Sequence, residues 1–166
     1  MKISSAVLIL FLFTSTCVAT KFSTVEDSQY FNCDLEARSS QWSKGSPAIV
    51  SLSIENTSLK PKRFIVSSFF EMGEMQYWAP VKLEDVSEHI HANTYYELFL
   101  KAEQKKTFEI DLSKLKWERS ISSIWPHMNL FDLVASGKYK LTFYVYIESE
   151  GVSKRIYSNS VDVIIR

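Results

Sequence analysis

The sequence predicts an all-β fold, an antiparallel sandwich of about seven to eight strands. Three observations carry this. Residues 137–147 alternate without a break, with Tyr139, Leu141, Phe143, Val145 and Ile147 on one face and Lys138, Lys140, Thr142, Tyr144 and Tyr146 on the other. That is the pattern of a strand with one side in the core and one in water. Shorter runs of the same period recur along the chain between clusters of Gly, Pro, Asn and Ser. Helical periodicity is nearly absent, a short helix or turn around residues 128–133 being the one candidate.

Taken in order, the chain opens with Lys2, an apolar run over residues 6–13 and then Thr14, Ser15, Thr16, Cys17, Val18, Ala19 and Thr20. This reads as a secretory signal peptide over residues 1–20. The apolar run is shorter than the roughly 20 residues a membrane span needs, so a soluble mature protein without a span is expected. Cys17 lacks the aliphatic residue that precedes a lipidated cysteine by three positions. Residues 21–45 form an N-terminal segment whose patch of Tyr30, Phe31, Cys33 and Leu35 predicts an edge strand. The sandwich domain is then residues 46–166.

Gly45, Ser46 and Pro47 make a turn, after which Ala48, Val50, Leu52 and Ile54 alternate with Ile49, Ser51, Ser53 and Glu55. Residues 64–70 are apolar on both faces and predict a central strand, reached through a polar loop containing Pro61 that fits a hairpin or an inter-sheet corner. Residues 71–94 keep neither period and predict irregular structure, the kind of segment in which binding residues concentrate. Strand signals resume at residues 95–100 and 107–112, the latter with Phe108, Ile110 and Leu112 inward. Val161, Val163 and Ile165 form the last inward row, and residues 152–157 extend it or pair with it.

The Gly137-Lys138-Tyr139 start of the clearest strand resembles the tyrosine corner of immunoglobulin-like sandwiches, in which the Tyr hydroxyl bonds the backbone upstream. The Cys-Trp-Cys signature of antibody domains is absent, and a small barrel is also compatible with the alternation. Residues 50–61, 108–113 and 131–141 together resemble the non-catalytic β-sandwich module that precedes the protease domain of deuterolysin-type metalloendopeptidases. Related patterns occur in small secreted protease-inhibitor sandwiches. The resemblance implies a sandwich without catalysis, and no His-Glu-x-x-His occurs in the chain.

Composition narrows the function classes. Removing residues 1–20 takes away one of the 19 basic residues, Lys2, and none of the 19 acidic ones, leaving a net charge of −1. Such a balance gives no electrostatic pull toward nucleic acid or an anionic membrane. Cys33 is then the only cysteine, which rules out an intramolecular disulfide and makes burial the expected state of its thiol. No Gly-x-Ser-x-Gly elbow or Gly-rich phosphate loop is present, and no enzyme or cofactor is expected. Asn56-Thr57-Ser58 is a glycosylation sequon.

Two constellations remain. Phe69, Met72, Met75, Tyr77 and Trp78 are residue types enriched at the centres of interfaces and predict a partner-binding patch, the alternative being the sandwich core and its lid, with one of Phe69 and Phe70 pointing inward; Tyr144 and Tyr146 lie outward on their strand. His89 and His91, two apart on an extended segment, point the same way and can share a copper or zinc ion. The expected function is a secreted or periplasmic non-catalytic binding module acting on a protein partner, a protease being the named guess. Metal binding through His89 and His91 is the alternative.

Overall fold

The computed structural model of the protein describes residues 25–83, 95–119, 128–149 and 152–166. It contains the strands β1 (Phe31–Ala37), β2 (Gln41–Trp42), β3 (Ile49–Asn56), β4 (Lys62–Met72), β5 (Tyr77–Val81), β6 (Tyr96–Leu100), β7 (Lys105–Asp111), β8 (Glu118–Arg119), β9 (Gly137–Ser149) and β10 (Val152–Ile165), with one α-helical turn, α1 (Leu130–Leu133), and short 3-10 helices at Val25–Tyr30 and Leu112–Lys114. These form a three-stranded sheet in the order β1-β3-β7 and a seven-stranded sheet in the order β2-β10-β9-β4-β5-β8, with β6 also paired to β4. The chain is an all-β sandwich. Two separate sheets exclude the barrel, and the orders β1-β3-β7 and β10-β9-β4-β5 match the A-B-E and G-F-C-C′ orders of immunoglobulin-like domains.

Alternation builds the core. The inward rows Val50, Leu52 and Ile54 of β3, Phe64, Val66, Phe70 and Met72 of β4, and Leu141, Phe143, Val145 and Ile147 of β9 join one buried cluster. Within it Phe31 meets Phe64 edge to face at 5.2 Å and Phe70 meets Phe143 at 5.3 Å. Trp117 is fully buried, and its indole N–H donates to the Leu112 carbonyl at 2.9 Å, which satisfies the one polar atom of the ring. Tyr139 behaves as the sequence implied: its hydroxyl donates to the Ala135 carbonyl at 2.8 Å.

The structure decides two alternatives that the sequence left open and adds features the alternation did not predict. The Pro61 loop is an inter-sheet corner, since β3 and β4 lie in different sheets. The final strand is one element of 14 residues, bent where its register shifts between Tyr157 and Ser160. At this bulge the Asn159 amide accepts from the Leu35 N–H at 2.7 Å and donates to the Leu35 carbonyl at 2.8 Å, a side-chain substitute for a ladder pair that ties β10 to β1 across the sandwich. The sheet is not purely antiparallel, because β2 runs parallel to the end of β10. The chain changes sheets between Arg38, whose N–H still bonds the Ile49 carbonyl, and Ser40, whose carbonyl accepts from Ile164.

The strand β5 falls inside the stretch expected to be irregular. A tight turn hides it from sequence, with Gly73, Glu74 and Met75 all at positive φ (69°, 53° and 68°). Gly73 is favoured there on two counts. Its φ disfavours a side chain, and an added Cβ would lie 3.2 Å from Cδ1 of Tyr139.

Candidate binding face on the outer sheet

The hairpin of β4 and β5 decides where the predicted patch residues go. Met72 pairs with Tyr77, Glu71 with Trp78 and Phe69 with Pro80. Successive side chains of a strand point to opposite faces, so Met72 and Tyr77 enter the core, 0% and 6% exposed, while Phe69 and Trp78 stand on the outer face. Met75 sits on the turn at 50% exposure. The five residues therefore form no single patch. Only Phe69 and Trp78 come together, their rings 5.7 Å apart.

What surrounds those two is supplied by β9 and β10. Phe69 lies opposite Tyr144, and Tyr144 opposite Tyr157. Phe69 and Tyr144 stack at 5.3 Å with planes 23° apart, Tyr146 meets both edge to face at 6.0 and 5.6 Å, and Tyr157 tilts against Tyr144 at 5.6 Å. The Arg155 guanidinium covers three of these rings, 4.8 Å from Tyr144, 4.6 Å from Tyr146 and 5.7 Å from Tyr157. It also donates to the hydroxyl of Tyr157 at 2.7 Å and to that of Tyr146. The rings and the delocalised cation over their faces form one contiguous array.

The array has a buried base and an exposed fringe. Phe69 and Tyr144 are buried although they point away from the core, Trp78, Tyr146 and Arg155 are half-buried, and Tyr157 is exposed. Burial pushes the Tyr144 hydroxyl up to about 12; Arg155 opposes that shift, and Glu71 and Tyr157 add to it. One carboxylate oxygen of Glu71 is buried without a hydrogen-bond partner. Beside it opens a groove of about 280 Å³ lined by Glu71, Glu74, Lys140, Thr142, Tyr157 and Ser160. A second groove of about 640 Å³ shares Glu74 and Lys140 and continues past Lys138, Gln76 and Asp162. The face thus has an apolar aromatic centre and a polar rim of both signs.

Sequence inspection placed Tyr144 and Tyr146 outward but missed Arg155, Tyr157 and Glu71. The available signal was the β9–β10 register: with Ser149 paired to Val152, Arg155 falls opposite Tyr146 and Tyr157 opposite Tyr144.

The remaining sequence candidates are quickly placed. His89 and His91 lie outside the described residues, as does the segment 1–20 read as a signal peptide. Among the described residues no three His, Cys, Asp or Glu side chains gather in a set that can hold a metal ion, and no helix is long and apolar enough to cross a membrane. Cys33 is buried at 3% exposure, its thiol pushed up to about 12 by burial and then by Asp34. Asn56 of the sequon is fully buried. Its Nδ2 donates to the carbonyls of Lys60 at 2.8 Å and Lys101 at 2.9 Å, and its Oδ1 accepts from the N–H and hydroxyl of Ser58.

No family model matches the chain, and no curated protein does. Among solved structures it is similar to the CARDB domain of a Pyrococcus furiosus protein in complex with di-metal ions, with a TM-score of 0.44, 8% identity, and 82% of this chain and 87% of that one covered. It is similar also to a β-glucosidase from Erythrobacter marinus, at TM-score 0.40 and 11% identity over 82% of this chain and 15% of that one. A third is the alkylpurine DNA glycosylase AlkC of Pseudomonas fluorescens bound to DNA containing an abasic site analog, at 0.38 and 15% over 82% and 30%. At such identities these likenesses say nothing of activity, ligand or partner here.

Proposed function

We propose that this chain is an exported, non-catalytic binding module that engages a protein partner through the outer face of its seven-stranded sheet. The observation that carries this is the array of Trp78, Tyr146, Tyr157 and Arg155 standing on a buried base of Phe69 and Tyr144. Trp, Tyr and Arg are the residues that dominate binding energy at protein interfaces. Because the base already fixes their rotamers, less side-chain entropy is lost when a partner docks. The unpartnered Glu71 oxygen offers an acceptor to an incoming donor at the edge of the same array.

Export rests on the signal-peptide character of residues 1–20 and places the module outside the cell or in a periplasm. The resemblance to deuterolysin-type modules and inhibitor sandwiches names a protease as the first partner class to try.

The test is titration of the purified protein against a panel of secreted proteases, reading complex formation and inhibition. Arg155→Glu and Trp78→Ala are expected to abolish the complex, while Lys114→Glu, an exposed residue at the end of the three-stranded sheet, leaves it intact. A complex indifferent to Arg155→Glu and Trp78→Ala sinks the assignment of this face. Turnover of a substrate by the module alone sinks the non-catalytic assignment.

A further inference from the structure

Given that the outer face is where a protein docks, a reading on which this inference rests, we propose that the partner presents an acidic side chain to Arg155 and the hydroxyls of Tyr146 and Tyr157. The hydrogen bonds among these three residues run one way. Arg155 donates to the hydroxyl oxygen of Tyr157 at 2.7 Å and to that of Tyr146. Each phenol oxygen, having accepted from the guanidinium, has its own proton left to give, and no acceptor takes either proton among the described residues. A guanidinium donates and never accepts. The site therefore offers N–H and O–H donors and a positive charge, while its phenol oxygens are already engaged.

That charge has no partner within the chain. Arg38 and Arg63 pair with Glu109 and Glu97, whereas Arg155 forms no ion pair among the described residues. Of the acids flanking the rings, Glu148 lies beyond Tyr146 on β9 and takes the hydroxyl of Tyr95. Glu71 stands opposite Thr142, on the far side of Tyr144. The rings of Tyr144, Tyr146 and Tyr157 hold the guanidinium half out of water, and a cation so placed binds a counter-charge more strongly than one in bulk solvent.

A set of donors selects its ligand. An amide or hydroxyl from the partner would bring donors of its own to oxygens that are already used, and a lysine or arginine would meet like charge. Ionised Asp and Glu are the side chains that only accept, and their planar carboxylate matches the edge of a guanidinium. Tyr157 and Trp78 leave ring surface open on either side of the array, so the acid is expected between apolar residues of the partner. A free inorganic oxyanion would meet the donors and leave that surface bare.

The experiment is two-dimensional NMR of the purified protein, following the backbone amides of Tyr146 and Tyr157 and the side-chain N–H of Arg155. The probes are acetyl-Ala-Leu-Glu-Leu-Ala-amide and its analogues with Gln or Lys in place of Glu. The Glu peptide should shift these signals saturably at millimolar concentration, and the Gln and Lys peptides should bind about tenfold more weakly or not at all. Arg155→Gln should abolish the preference for Glu over Gln. Tyr146→Phe with Tyr157→Phe keeps both rings, removes both O–H donors and should weaken the Glu peptide about fivefold. The comparison of peptides on the native protein holds whatever the variants do to folding. Equal binding of the Glu and Gln peptides overturns the acidic assignment, as does a Glu preference that survives Arg155→Gln or a Glu peptide that shifts none of these signals. Sodium sulfate that displaces the Glu peptide at equal concentration would assign the site to a free oxyanion and overturn it too. The outer-face reading stands or falls separately, on whether Trp78→Ala breaks the protease complex.

Discussion

Phe69 and Tyr144 face each other across the β4–β9 ladder with ring centroids 5.3 Å apart, and both are buried on the side of the sheet that points away from the core. The outer face thus carries a small apolar layer of its own. Removing the Phe69 ring leaves Trp78, Tyr144 and Tyr146 without their common neighbour, as a deletion in the main core would. Phe69→Ala is expected to cost about 3 kcal/mol, the low end for a buried aromatic because solvent can reach the gap. Arg155→Ala, at a partly exposed cation site, should cost about 1 kcal/mol. Urea denaturation measures both, and a loss below about 1 kcal/mol for Phe69→Ala would show that the layer packs loosely.

Tyr139 links the start of β9 to the chain before it through one hydrogen bond, from its hydroxyl to the Ala135 carbonyl. Tyr139→Phe removes only that bond and should cost about 1 kcal/mol. Gly73→Ala acts on the same ring from the other side, forcing a Cβ to within 3.2 Å of it at a φ of 69°. It should cost about 1 to 2 kcal/mol. Thermal denaturation of the two variants decides: a Tm unchanged by Tyr139→Phe would mean that water replaces the bond at no cost.

The legibility of these features in the sequence follows their chemistry. β9 was readable because its two faces differ in polarity, and Tyr139 because Gly and Tyr two apart at a strand start suit one known corner. β4 was readable as central, yet its apolarity on both faces concealed which of Phe69 and Phe70 points inward. Hydrophobicity cannot separate the faces when the outer one is aromatic as well; the register can, and the register depends on the turn. That turn, with Glu74 and Met75 at positive φ, carries no Asn-Gly or Asp-Gly signal, so β5 and the division of Met72 and Tyr77 from Phe69 and Trp78 could not be read. Arg155 stayed hidden for a related reason, since its partners on β9 are fixed only by pairing.

Asn56 closes the loop between β3 and β4 from inside. Its Nδ2 donates to the carbonyls of Lys60, Leu100 and Lys101, and its Oδ1 accepts from the N–H and hydroxyl of Ser58. Asn56→Ala should cost about 3 kcal/mol, because a fully buried amide bonded at both ends is lost and the Ser58 N–H and hydroxyl lose their acceptor. A glycan on Nδ2 cannot coexist with those donations. Folded protein secreted from a glycosylating host is expected to carry no sugar at Asn56, and a mass increment of one glycan on folded, stable protein would contradict the burial.

Cys33 and Tyr144 together set how stability changes in base. Both are neutral when protonated, and burial raises both to about 12 in the folded chain, from ordinary values of 9.0 and 10.0. Well below pH 9 both states hold both protons, so these groups give no slope. Approaching and passing pH 9.0 the unfolded chain loses the thiol proton, and through pH 10.0 the phenol proton, while the folded chain keeps most of both until it nears about 12. The unfolded state then binds fewer protons, and stability must fall as pH rises through this window. Tyr95 and Tyr139 are raised too and steepen the fall. Urea midpoints measured between about pH 8 and pH 11 should decline, and the decline should be shallower in a Cys33→Ala, Tyr144→Phe double variant. A flat or rising midpoint over that range would mean that the thiol and the phenol reach solvent in the folded protein, and that neither the core around Cys33 nor the outer layer around Tyr144 is closed.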